Sequence, residues 1–392
     1  MMILFTIVLI AVFHPISLDM YTPAFPQIIE QLNTNISLVQ LSMTSFIAGL
    51  VIFQLVTGIL SDRLGRKKVL VAGLAFYIVF SLACSLASDV TSLILFRFFQ
   101  ALGAGTTAVL SRAIVKDLYG EREVSSILGY VAAIASLMIL VSPLIGGLIT
   151  TALGWRFVFG LQLAMGALAL ILVCVYIDGD KANHLTSTSI KQLTKDFIGY
   201  AKQKSVLAYA LPASTNTAGI YSFMTGGSII LIKYYHMDVK LYGVFYALAI
   251  LGYILGNFIL AKKSKKYGNE LFMQISVILA LISGLIMATG VMLFIGLGSY
   301  IIIVSMFIFM LSSGFIFPSS SAQSMALYPN SPGSLAALMG TAKMLVAMLV
   351  TLLLSLFNSH SPMPFAFIMF AMGLLSFIFY HYFKYNKPEK NN

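Results

Sequence analysis

Charge is what this chain has least of: Asp, Glu, Lys and Arg make up 9% of its 392 residues, against roughly 25% in a soluble domain. That scarcity, beside an apolar share of 59%, excludes water as the solvent for most of the chain. Cysteine is rarer still. Cys84 and Cys174 both lie inside apolar runs, which leaves a disulfide framework or a thiolate metal site without support. No metal-spaced His/Cys set, Gly-rich phosphate loop or appended soluble domain can be picked out, so neither an enzymatic function nor a cofactor is expected. The opening stretch, MMILFTIVLIAVFHP, lacks a basic n-region and a small-residue cleavage site, and its apolar run continues past residue 20. It reads as a first membrane span, not as a secretory signal.

What the chain has in quantity is apolar runs of membrane-crossing length. A bilayer core of about 30 Å takes roughly 20 apolar residues per helix. Such runs fall near residues 3–28, 37–60, 68–87, 91–115, 125–151 and 155–177, then 206–232, 241–261, 271–295, 298–326, 335–357 and 362–384. The expected fold is an all-α polytopic membrane protein with twelve transmembrane helices. A net charge of +11 raises nucleic acid as a partner, but the basic residues follow the spans. With the N-terminus inside, Arg63, Arg66, Lys67, Lys68, Arg112, Lys116, Arg122 and the lysines of 181–204, 262–266 and 384–390 share one face, against Arg156, Lys233 and Lys240 on the other. This is the positive-inside pattern, so both termini are expected in the cytoplasm and no nucleic acid is expected.

The polar interval DGDKANHLTSTSIKQLTKDFIGYAKQKS, residues 178–205, divides six spans from six. The expected organisation is a six-helix bundle over 1–178, a cytoplasmic linker over 179–205, a second six-helix bundle over 206–385 and a cytoplasmic tail over 386–392. In the linker, Ile190, Leu193, Phe197 and Ile198 share one side of a helix over 190–201, which suits the inner membrane surface; a solvated loop accounts for the same residues. SSILGYVAAIASLMILVSPL in span five and AALMGTAKMLVAMLVTLLLS in span eleven share a Leu/Met-Gly step, and GILSDRLGRKK after span two has a basic echo in AKKSKKYG after span eight. Parallel duplicated halves are an architecture that binds substrate between the halves near the midplane.

Removing the loop charges leaves Asp19 in span one, Arg97 in span four and Lys343 in span eleven. At 1.5 Å per residue, Asp19 lies roughly 13 Å and Arg97 roughly 9 Å below the outer ends of their helices. A charge at mid-span costs about 2.5–3.5 kcal/mol on insertion scales, so these two are expected to face the interior and pair. Pro23 deletes the amide that would bond the carbonyl of residue 19, which predicts a kink there, with Pro15 and Pro26 adding further breaks. Asp19 therefore either stabilises a broken helix or neutralises Arg97, or it couples to protons or substrate. Desolvation and a neighbouring guanidinium push a carboxyl in opposite directions, so movement between such environments can load and release a proton. His14 lies at similar depth on another face and reads as core packing. Lys343, about 14 Å into its span, either bonds freed backbone carbonyls, contacts an anionic or carbonyl-bearing substrate, or reaches across the cavity toward Asp19.

GILSDRLGRKKVL, residues 58–70, resembles the loop signature G-x-L-x-D-R-x-G-R-[KR] after span two of the major facilitator superfamily, matching at Gly58, Leu60, Asp62, Arg63, Gly65, Arg66 and Lys67. RFFQALGAG, residues 97–105, resembles that superfamily's span-four motif, with Ala101 in place of its first glycine. SPLIGG, residues 142–147, resembles the antiporter motif of span five, with Ser142 in place of glycine. LDMYTPAFP and RAIVKDLYG bring the chain close to the Bcr/CflA branch, the bicyclomycin-resistance type of drug:proton antiporter. The resemblance implies the major facilitator fold of two pseudo-symmetric six-helix bundles. It also implies a proton site at Asp19 and Arg97, and a cytoplasmic gate at Gly58, Asp62, Arg63, Gly65 and Arg66 with Asp117 as a candidate acidic partner. Pro143, Gly146 and Gly147 would carry the antiporter motif. In the second half, AKKSKKYG lacks the loop aspartate, which leaves the corresponding gate without that acid.

The substrate cavity is expected to draw on Tyr21, Asn216, Tyr221, Phe223, Met224, Tyr246, Tyr253 and Lys343. Pliable Met and aromatic surface suits promiscuous recognition, though core packing accounts for any single aromatic. One acid against two bases favours neutral or anionic cargo. The expected function is alternating-access export of a drug or metabolite in exchange for protons, with the proton gradient as energy source. A carboxylate-rich metabolite such as a siderophore is an alternative cargo. Proton-coupled nutrient uptake, or a non-transporting sensor or enzyme, are the rival classes. The expected setting is the bacterial inner membrane, with lipid, protons and a small molecule as partners and the chain as a monomer.

Overall fold

The computed structural model describes residues 2–119, 121–177, 199–200, 202–327, 332–357 and 361–385. Nearly all of the linker helix expected over 190–201, and the tail from 386, lie outside them. Among the described residues every regular element is helical. The first span is built from α1 (Met2–Ala11), α2 (Phe13–Asp19), a 3-10 turn (Thr22–Ala24) and α3 (Phe25–Gln31). The next five are α4 (Ile36–Leu64), α5 (Arg66–Ser85), α6 (Val90–Leu118), α7 (Glu121–Ala152) and α8 (Arg156–Tyr176). Then follow α9 (Lys204–Ser228), α10 (Val239–Tyr267), α11 (Asn269–Leu293), α12 (Gly298–Leu327), α13 (Pro332–Leu356) and α14 (Met363–Tyr385). Each of the twelve expected spans has its helix.

Among the described residues nine helices are long and apolar enough to cross a bilayer alone, and α1 with α2–α3 makes a tenth that is bent by 40°. The exceptions are α7, in which the described residues give a shorter apolar helix over Leu137–Ala152, and α9, whose middle reads ASTNTAGIYS. That polar middle is almost wholly buried, so α9 is covered by protein where the others meet lipid. Asn35 and Asp89 cap the starts of α4 and α6, accepting from the amides of Leu38 at 2.9 Å and Ser92 at 2.8 Å. The Ser92 amide, with its hydroxyl, holds the Asp89 carboxyl below the usual carboxylate range.

The helices fall into two compact units, Met1–Thr188 with Asp238–Val244, and Ser189–Met237 with Phe245–Asn392. Both units use the same joints. α4 leaves for α5 through Gly65 at φ 91°, ψ 142°, and α10 leaves for α11 through Gly268 at φ 78°, ψ 152°. That region of the backbone map is open essentially to glycine alone, so the basic echo between the two loops is also a conformational echo. Close helix approach is repeated too. A β-carbon at Gly49 of α4 would run into the Phe98 carbonyl of α6, and one at Gly256 of α10 would run into the Leu311 carbonyl of α12. In bilayers such small-residue contacts supply the packing that the hydrophobic effect does not.

Candidate functional site

The first span is broken twice, and proline accounts for both breaks. Pro15 has no amide for the carbonyl of Ala11, where α1 ends, and the bend follows at Val12. Pro23 has none for the carbonyl of Asp19, where α2 ends; that carbonyl takes the Thr22 hydroxyl at 3.2 Å instead. Asp19 is thus the last residue of a seven-residue helix, and it is 2% exposed.

Arg97, fully buried on α6, docks on this broken segment. Its Nη2 donates to the Ser17 carbonyl at 3.1 Å and its Nη1 to Gln100 Oε1 at 2.6 Å. The guanidinium carbon lies 4.4 Å from the ring centroid of Tyr21 and 4.0 Å from that of Phe46. Ser17 and Tyr21 stand two residues before and two after Asp19, so the turn that carries the acid is the turn that Arg97 holds. Each ring face offers a desolvated cation about 0.5–2 kcal/mol. Tyr21 is fixed in turn by its hydroxyl, 2.6 Å from Ser42 Oγ.

Behind the guanidinium a polar chain runs through the first unit. Gln100 Nε2 donates to Ser81 Oγ and to Gln162 Oε1, both at 2.8 Å, and Ser17 Oγ lies 2.6 Å from the Tyr77 hydroxyl. Arg97 Nε and Gln162 Nε2 are buried without a hydrogen-bond partner among the described residues, which is costly in a dry interior. Sequence reasoning missed Gln162, although a lone glutamine in RFVFGLQLAMGALAL was a visible signal. His14 is half-buried on α2.

At the Gly65 joint, Arg66 and Asp117 form an ion pair between α5 and α6, and Lys67 Nζ donates to the Cys174 carbonyl of α8 at 2.9 Å. Arg63 is exposed, and a β-carbon at Gly58 would meet nothing within 4 Å. The side chain of Asp62 lies outside the described residues. On α7, which contains Pro143, a β-carbon at Gly146 would collide with the backbone of Met20, the residue after Asp19. Gly147 faces the Val239 carbonyl, at 3.2 Å from its β position, and Gly243 faces Leu144.

Gly146→Ala must push α7 off the Asp19 turn. A loss of about 1–3 kcal/mol is expected from overpacking against backbone that cannot yield. Thermal unfolding checks it, with Gly160→Ala as control, since nothing lies within 4 Å of that β position.

In the second unit Asn216 is fully buried: its Nδ2 donates to Ser312 Oγ at 3.1 Å and its Oδ1 accepts from Ser313 Oγ at 2.6 Å. Tyr246 stacks on Phe223 with centroids 5.5 Å apart, and Tyr221 and Met224 are buried as well. Of the side chains singled out in this unit, Tyr253 and Lys343 are the ones that keep partial exposure. Lys343 Nζ lies 4.8 Å from the centroid of Phe317, whose ring is 6.2 Å from that of Tyr253. A cation at that depth costs about 2.5–3.5 kcal/mol, and one ring returns about 0.5–2.

The second-half loop AKKSKKYG has no aspartate, as its sequence shows, and the acid beside it is Glu270, in the first turn of α11. It accepts from Lys384 Nζ at 2.8 Å and the Tyr380 hydroxyl at 2.6 Å on α14, the Tyr209 hydroxyl at 3.2 Å on α9, and Gln323 Nε2 at 3.1 Å on α12. This acid follows the basic loop instead of sitting inside it, which is why motif spacing missed it. Glu270→Gln removes the charge, and one of the two oxygens, that accept from three neighbouring helices. A loss of about 1–2 kcal/mol is expected, moderated by partial solvent access, and is read by thermal unfolding with Lys384→Met as the paired variant.

Comparison with known proteins places these features. The chain is 28% identical over 374 residues to the uncharacterized MFS-type transporter YdgK of Bacillus subtilis (strain 168), covering 95% of this chain and 92% of that protein. It is 26% identical over 378 residues to a bicyclomycin resistance protein homolog of Haemophilus influenzae, covering 96% and 94%. The partially occluded, inward-open xylose transporter XylE of Escherichia coli superimposes with TM-score 0.72 at 15% identity, covering 99% of both chains; at that identity the likeness concerns the fold. The pattern of the Major Facilitator Superfamily matches residues 7–351. This chain, a multi-pass membrane protein of twelve helices in two six-helix bundles, belongs to the Major Facilitator Superfamily of transporters.

Proposed function

We propose that the protein is a proton-coupled antiporter of the bacterial inner membrane, with both termini cytoplasmic, that exports a small organic molecule by alternating access. The observation that carries the reading is the Asp19 turn. A carboxyl 2% exposed ends a broken helix whose neighbours Ser17 and Tyr21 hold a fully buried guanidinium. Such a group changes charge state only if the turn changes its surroundings, and the proline breaks give the turn its own degrees of freedom. If protonation and cargo occupancy disfavour each other by about 1–3 kcal/mol, protons entering from outside expel cargo. The bicyclomycin resistance homolog, aligned over nearly its whole length, supports a drug or drug-like metabolite as cargo.

In the same reading, the Arg66–Asp117 pair and the Asp62–Arg63 segment form a cytoplasmic latch that opens and closes, and no cofactor is required. Orientation follows from the basic loops at the Gly65 and Gly268 joints. Proteoliposomes with an acidic lumen test the assignment with labelled drugs, beginning with bicyclomycin. An antiporter accumulates its cargo in the acid lumen, a symporter accumulates it only when the lumen is alkaline, and a sensor or enzyme moves nothing.

A further inference from the structure

Resting on the export reading, we infer that the second unit holds an anion-recognition site, Lys343 against Phe317 and Tyr253, and that the cargo is a planar organic molecule bearing a carboxylate or a similar anionic group. Lys343 lies in the middle of α13, where a cation needs a partner. Among the described residues it forms no ion pair, and the Phe317 ring at 4.8 Å is its one charge-stabilising contact. A ring face returns less than the bilayer demands of a lone cation.

The side chain is also placed for recognition and away from lipid. At 100° per residue, the exposed Leu345, Leu349, Leu352, Leu353 and Leu356 form one stripe of α13, and Lys343 falls about 135° from its centre. On α10 the exposed Leu248, Leu251 and Leu255 form the corresponding stripe, and Tyr253 lies about 170° from it. Lys343, Phe317 and Tyr253 each retain partial exposure, and for Lys343 and Tyr253 it lies on faces turned from those leucines, outside the stripes that lipid covers. An ammonium against the Phe317 ring, which in turn neighbours Tyr253, and with no ion-paired carboxylate among the described residues, presents charge to an anion and flat apolar surface to the scaffold that carries it.

The test is equilibrium binding of labelled 1-naphthoate and its neutral analogue 1-naphthamide to the full chain in lipid nanodiscs, without a proton gradient. Wild type is expected to hold naphthoate at least about tenfold tighter than the amide. Lys343→Met, which keeps the length and packing of the side chain, should bring the ratio to about one, and Lys343→Arg should restore most of it. A preference that survives Lys343→Met, equal affinities in wild type, or binding of neither probe overturns the inference. The export reading fails separately: loss of proton-driven transport would sink it while naphthoate binding stood, and anion-blind transport would do the reverse.

Discussion

Asp19→Asn is expected to reduce proton-driven cargo accumulation in proteoliposomes to the level of empty vesicles while leaving a folded protein. The carboxamide has nearly the shape of the carboxyl, and the 3.2 Å bond that closes the turn uses the Asp19 backbone carbonyl, which the substitution does not touch. Stability should therefore change by no more than about 1 kcal/mol. What is lost is the second charge state. With a coupling of about 1–3 kcal/mol, wild-type cargo affinity should move roughly 5–150-fold across the titration, and the variant's affinity should be flat with pH. Gradient-independent exchange of cargo for cargo should survive, because it needs the rocking units and not the proton. A variant that keeps wild-type accumulation would remove the proton role and leave Asp19 as a terminator of α2.

Arg97→Ala is expected to cost about 3–5 kcal/mol of stability. The substitution leaves Gln100 Oε1 and the Ser17 carbonyl without their donor and opens a void between the rings of Tyr21 and Phe46. Each loss falls among fully buried side chains. Arg97→Lys should recover only part, since an ammonium cannot span Ser17 and Gln100 while lying flat between two rings. Thermal unfolding of purified protein measures both. An alanine variant that melts with wild type would mean that the polar chain from Arg97 to Gln162 contributes no net stability.

Much of this was legible in the sequence where one residue type has one physical consequence. Pro15 and Pro23 each delete a particular amide, and the helix ends fall at Ala11 and Asp19, the residues whose carbonyls lose it. Gly65 was legible as a tight joint, and the structure adds Gly268 with nearly the same dihedrals. Arg97 stood out because a guanidinium inside an apolar run has to be housed. How it is housed was not legible, since the aromatic sandwich draws Tyr21, Phe46 and Phe159 from three different spans.

Burial of the aromatic residues was equally hidden. Tyr246 and Tyr253 lie two turns apart on one helix with similar surroundings in sequence, yet one is stacked in the core and the other keeps an open edge. Glu270 shows the same limit. Its partners lie 53 to 114 residues away or on the far side of the chain's second half, Gln323 and Lys384 among them, and only the folded unit brings them to one carboxylate.

The central claim is that Asp19 changes protonation state inside the membrane, and infrared difference spectroscopy of the reconstituted protein tests it without knowledge of the cargo. The account predicts a carbonyl stretch of a buried protonated carboxyl that titrates between about pH 5 and 9, shifts in heavy water and is missing from Asp19→Asn. Identical difference spectra for the wild type and the variant across that range would contradict it.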